Sequence, residues 1–76
     1  MEINEFVERV IEQFDDVSSV VAPETKFRDL DGWCSIVALS IIAMVDEEYD
    51  VTLKGEDIKK SETIKDIFEI VVNRKS

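Results

Sequence analysis

The 76 residues predict an all-α fold: a small four-helix bundle of three main helices and one short helix, with a long first loop. Three observations lead there. Apolar residues recur three and four apart at the start and again at the end of the chain. A central run is apolar almost all round yet rich in helix-compatible residues. The sole Pro23, Gly32 and Gly55 all fall outside these runs. No polar–apolar alternation is strong enough to compete as strand.

The first stripe is Ile3, Phe6, Val7, Val10, Ile11, Phe14 and Val17, with Glu, Arg, Gln and Asn between, and it predicts one amphipathic helix. From Asp15 to Trp33 the rhythm dissolves into a polar stretch with Val20, Val21, Phe27 and Leu30 as anchors. A loop of that length carries function or contains a short helical turn, and both are expected here.

Ser35 to Tyr49 contains Ile36, Val37, Leu39, Ile41, Ile42, Ala43, Met44 and Val45 before Asp46-Glu47-Glu48, and predicts the buried central helix. A buried strand is the alternative, but the run is long and includes Ala, Leu, Met and Glu. It is shorter than the roughly 20 residues that cross a bilayer, so no membrane span is expected. After Gly55, Glu56 to Lys60 predicts a short helix with Ile58 as its apolar contact. Thr63, with Asp66 three residues on, predicts the cap of a last helix carrying Ile64, Ile67, Phe68, Ile70 and Val71. Arg74-Lys75-Ser76 is expected to be a polar end that frays. One domain is expected to span residues 1–76.

Eighteen Asp and Glu against nine Lys and Arg give a formal net charge of -9. Such a field repels phosphate backbones and anionic lipid, so nucleic acid is not expected as a partner, whereas proteins with basic patches are. A chain this short has no room for a separate catalytic lobe, and a monomer that serves other proteins is expected rather than an enzyme. Cys34 is the only cysteine, which fits a reducing compartment, and Met1-Glu2-Ile3-Asn4-Glu5 lacks the basic and apolar regions of a signal peptide. A cytoplasmic location is expected.

Ser35 stands where the long loop meets the central helix, close to free backbone amides and the positive end of a helix dipole. Two readings stay open on local pattern alone: a helix N-cap, or a hydroxyl that carries a phosphate ester. The chain has no histidine, so it offers no serine–histidine triad and no histidine metal site. Asp29-Leu30-Asp31-Gly32 lacks the remaining ligands of a calcium loop and reads as solvated carboxylates, and no metal is expected.

The segment Phe27-Arg28-Asp29-Leu30-Asp31-Gly32-Trp33-Cys34-Ser35-Ile36 resembles the approach to the attachment serine of acyl carrier proteins. The family's Asp-Ser-Leu would read here Cys34-Ser35-Ile36. Val45-Asp46-Glu47-Glu48-Tyr49-Asp50-Val51 is similar to the acidic, aromatic-terminated end of that family's second helix, at matching distance from the serine. The resemblance covers nearly the whole chain, through Thr63-Ile64. It implies a 4'-phosphopantetheine arm, donated by coenzyme A through a phosphopantetheinyl transferase and joined to Ser35. The arm would carry acyl groups as thioesters in fatty acid or related acyl-chain biosynthesis.

It further implies partner contacts through Trp33, Ile36, Asp46 and Glu47, made to acyl-chain synthesis or ligase enzymes with basic docking patches. Packing roles are open for Trp33 and Ile36. Cys34 stands where the family usually has a carboxylate, and Val37 and Ser40 stand at positions often acidic on the partner-facing side. That departure implies a dedicated set of partners. An aminoacyl cargo, or an unmodified acidic interaction module, are the alternative functions.

Overall fold

The computed structural model describes residues 2–14, 21–30 and 32–75. Four α-helices form there: α1 (Ile3–Ile11), α2 (Ser35–Tyr49), α3 (Gly55–Lys60) and α4 (Ile64–Lys75), with a 3-10 turn at Phe27–Asp29. The described residues form no strand, and an isolated antiparallel bridge pairs Lys26 with Thr63. The chain is therefore a small all-α bundle, and the turn expected within the long loop is present. No helix among the described residues is long and apolar enough to cross a membrane.

α1 is shorter than its apolar spacing predicts. It closes at Ile11, after which the N–H groups of Gln13 and Phe14 donate to the carbonyls of Val10 and Ile11, three residues back. Phe14 continues the rhythm without continuing the helix. It is buried against Trp33, with ring centroids 6.2 Å apart. Val17, Val20 and Asp31 lie outside the described residues.

α2 buries Val37, Ile41, Met44, Val45 and Tyr49. α1 runs antiparallel along it: Phe14 meets Trp33 just before α2 begins, and Phe6 meets Tyr49 at its end, centroids 5.6 Å apart. On the same seam the Arg9 guanidinium donates to Glu48 at 2.8 Å and to Glu5 at 3.2 Å. α4 adds Ile64, Ile67 and Val71, all fully buried. Burial all round α2, as predicted, does not occur, because Ile36 is 73% exposed and Leu39 is 65% exposed. The neighbouring helices cover only part of its circumference. α2 then ends on Asp50, whose left-handed backbone (φ 56) returns its N–H to the Asp46 carbonyl.

Both later helices start on carboxylates. Asp57 accepts the Lys54 N–H at 2.8 Å, and Asp66 accepts the N–H groups of Glu62 and Thr63 at 3.0 Å each. The Thr63 hydroxyl in turn accepts the Asp66 N–H at 3.2 Å, so Thr63 caps α4 as predicted.

Arg74 and Lys75 are not part of a frayed tail, and Ser76 lies outside the described residues. α4 continues to Lys75, and the Arg74 fork grips Asp57 at 2.6 and 2.8 Å while also donating to the Thr52 carbonyl at 2.9 Å. Lys75 Nζ donates to the Tyr49 carbonyl at 2.9 Å. Cations in the last helical turn thus meet a carboxylate and the carbonyl at the end of α2.

The long loop is stitched down as well. Arg28 donates at 2.6 Å to the carbonyl of Ile58, which also accepts the Ser61 N–H, and at 2.8 Å to the carbonyl of Lys59 at the end of α3. The N–H groups of Lys65 and Ile64 reach the carbonyls of Pro23 and Thr25.

The Arg74 guanidinium, more than any other group, holds the Asp57 carboxyl below the ordinary carboxylate range, and the Lys54 N–H adds to this. Asp66 is lowered chiefly by the N–H groups of Glu62 and Thr63. Both folded pKa values lie below the unfolded ones. The stability they contribute is therefore complete above the unfolded value near about pH 4 and is lost as pH falls through the folded values. The double variant Asp57→Asn/Asp66→Asn is expected to be about 1–2 kcal/mol less stable than the parent at neutral pH in urea titrations. That deficit should shrink in acid, and a deficit unchanged down to about pH 2 would contradict the assignment.

Candidate functional site

The start of α2 is set from upstream. The 3-10 turn buries Phe27 completely, and the Trp33 ring packs on it with centroids 4.9 Å apart. The Trp33 N–H donates to the Leu30 carbonyl at 3.2 Å, a turn closed by Gly32 at φ 89, where glycine carries no Cβ penalty. Cys34 follows in extended conformation, and its carbonyl accepts the Ala38 N–H at 3.1 Å, opening the helix.

Cys34 is therefore the N-cap residue and Ser35 the first residue inside the helix. The reading of Ser35 as the N-cap does not hold, and the Cys34 side chain makes no cap bond in its place. The physical reason lies in register. The aromatic packing of Trp33 places the extended residue at Cys34, one position before the serine. Ser35 is exposed, its hydroxyl makes no hydrogen bond among the described residues, and the first turn of α2 contains no acidic side chain. The hydroxyl thus lies beside free helix amides and the positive dipole end, in a place that favours an attached phosphate.

Beside Ser35 opens a groove of about 380 Å³ between α2 and α3. Trp33, Ala38, Leu39, Ile42 and Ile58 form its apolar lining, and Arg28 and Lys59 stand on its walls. Its volume falls within the roughly 300–1,000 Å³ of small-molecule sites. The lining arises because Ser35, Ala38, Leu39 and Ile42 lie three and four apart, hence on one flank of α2.

Ile36, Leu39, Ala43, Asp46 and Glu47 form an adjoining outer stripe, and all are exposed. At 1.5 Å per residue, Glu47 stands about 18 Å along the axis from Ser35. Ile36 is thus a surface residue rather than a core one. Trp33 is partly buried between Phe14 and Phe27, and also lines the groove, so packing is its first role. Val37, expected on the partner-facing side, is only 7% exposed and faces the core. Ser40 lines a second groove, of about 300 Å³, between α1 and α2.

The structure brings Ser35, Trp33 and Ile36 together and sets Asp46 and Glu47 further along the same helix. Leu39, Arg28 and Lys59 join the site without having been singled out in the sequence. Leu39 was hidden in a run that reads as uniformly buried, and only the loop's path brings Arg28 to α3. Cys34 is exposed and free. Among the described residues no group of His, Cys, Asp and Glu is placed to hold a metal ion. No protein-family model matches the chain.

Removal of a hydroxyl that caps nothing should be nearly neutral for folding. Ser35→Ala is expected to change stability by no more than about 0.5 kcal/mol in urea titrations, whereas loss of a capping serine costs about 1 kcal/mol. A loss of that larger size would restore the cap role.

Proposed function

We propose that the chain is a carrier protein of the acyl carrier type, whose Ser35 hydroxyl accepts a 4'-phosphopantetheine arm from coenzyme A. The observation that carries this reading is an exposed serine at the first residue of the central helix, its hydroxyl bonded to nothing among the described residues and opening on an apolar groove. The site suits the arm's phosphate, since the first turn presents amides and no carboxylate.

Once attached, the arm supplies a terminal thiol that holds an acyl group as a thioester. The chain's own residues do the rest. The Ser35 oxygen forms the bond to phosphorus, the pyrophosphate bond of coenzyme A breaks, and adenosine bisphosphate leaves. The hydroxyl proton passes to a base of the transferase, since the chain has no histidine and the first turn of α2 carries no carboxylate beside Ser35. Trp33, Leu39, Ile42 and Ile58 offer an acyl chain an apolar wall out of water.

Partners in this reading are the phosphopantetheinyl transferase and enzymes of acyl-chain synthesis or ligation, working in the cytoplasm. Ile36 with Leu39 gives them an apolar anchor close to the arm, and Asp46 and Glu47 attract basic patches at the far end of the same stripe. Apolar lining beside the serine favours an acyl cargo over an aminoacyl one.

Incubation with coenzyme A and a broad-specificity transferase is expected to add the mass of one phosphopantetheine, and Ser35→Ala should abolish the gain. An unmodified parent, beside a control carrier that is modified in the same reaction, would overturn the proposal.

A further inference from the structure

In a chain with 18 Asp and Glu against nine Lys and Arg, two cations line one apolar groove. Arg9 and Arg74 each pair with a carboxylate, but neither Arg28 nor Lys59 lies within ion-pair distance of one among the described residues. Arg28 is held in place. Its Nη2 donates to the Ile58 and Lys59 carbonyls, and its guanidinium carbon lies 5.1 Å from the centre of the Phe27 ring. Its Nη1 and Nε make no hydrogen bond among the described residues. A fixed guanidinium with donors to spare, next to a flexible ammonium, fits a carboxylate.

We propose that this groove takes an acyl cargo that itself bears a carboxylate, with the chain against Trp33, Leu39, Ile42 and Ile58 and the carboxylate on Arg28 and Lys59. The inference rests on the carrier reading for how the cargo is delivered. A plain alkyl chain would use the apolar wall and leave the Lys59 ammonium and the free edge of the Arg28 guanidinium unengaged among the described residues. The net negative field of the domain opposes an anion only weakly at this point, because charges beyond about 8 Å are screened at physiological salt while a contacting cation is not. An arm phosphate is the other anion within the same chemistry, so the test separates the two.

Ser35→Cys in a Cys34→Ser background carries one thiol, to which probes are joined chemically, without a transferase or a phosphate. Two iodoacetamide probes of equal length are compared, one ending in methyl and one in carboxylate. Thermal midpoint and the emission of Trp33, the only tryptophan, report on the groove.

The carboxylate probe is expected to raise the midpoint by roughly 2–4 °C over the methyl probe, as one favourable ion pair does in a domain of this size. The advantage should shrink in about 1 M salt, where the screening length falls to about 3 Å. Lys59→Gln should reduce it, and since the Lys59 side chain bonds nothing among the described residues, that variant keeps the Arg28 clamp; Arg28→Gln is the second. Equal midpoints for the two probes, or an advantage undiminished by Lys59→Gln, would overturn the proposal. So would Lys59→Gln destabilising the unloaded phosphopantetheine form while the probes show no difference, because the cations would then serve the arm's phosphate. If Ser35 refuses the arm but the carboxylate advantage stands, the carrier reading fails and the groove assignment holds.

Discussion

The burial of α2 is the constraint from which the rest of the molecule follows. Fifteen residues, most of them apolar, cannot stand at the surface of a small domain, so the other helices gather round it. Val37, Ile41 and Val45 fix its inward face, and Phe6, Ile64, Ile67 and Val71 close over the core. A helix anchored so firmly along its length has a well-determined first residue. Ser35 therefore stands at a defined place, with a groove on one flank of α2 and an exposed stripe beside it.

A core of this size is modest, and the fold adds charge-assisted contacts at places where chain ends and loops would otherwise drift. Arg74 ties the end of α4 to Asp57 at the start of α3, Arg28 ties the long loop to the end of α3, and Asp66 ties the loop before α4 to its first turn. α3, only six residues long, is thus gripped at both ends. That grip holds the far wall of the groove in position relative to Ser35.

Much of this was legible in the residues, and what was not has identifiable causes. The helix order, the start of α2 at Ser35 and the Thr63 cap follow from local spacing and capping chemistry, which sequence carries directly. The end of α1 does not, since Phe14 keeps the apolar rhythm for a tertiary reason, its contact with Trp33. The exposure of Ile36 and Leu39 depends on how many neighbours reach α2, which no pattern within α2 encodes. Arg28 and Arg74 find partners 30 and 17 residues away, so their roles appear only when the chain is folded. The cap role suggested for Ser35 fails by a single residue, a shift set by aromatic packing upstream.

In the proposed reading, the exposed Ser35 hydroxyl, which bonds nothing among the described residues, is the point of attachment, and the apolar groove beside it receives what is attached. The most direct measurement is the intact mass of the protein isolated from its native cell, followed by fragmentation to locate any added group. The expected result is a phosphopantetheine on Ser35, with or without an acyl group on its thiol. A serine found bare throughout the native population, or an arm on any other residue, would contradict the carrier role.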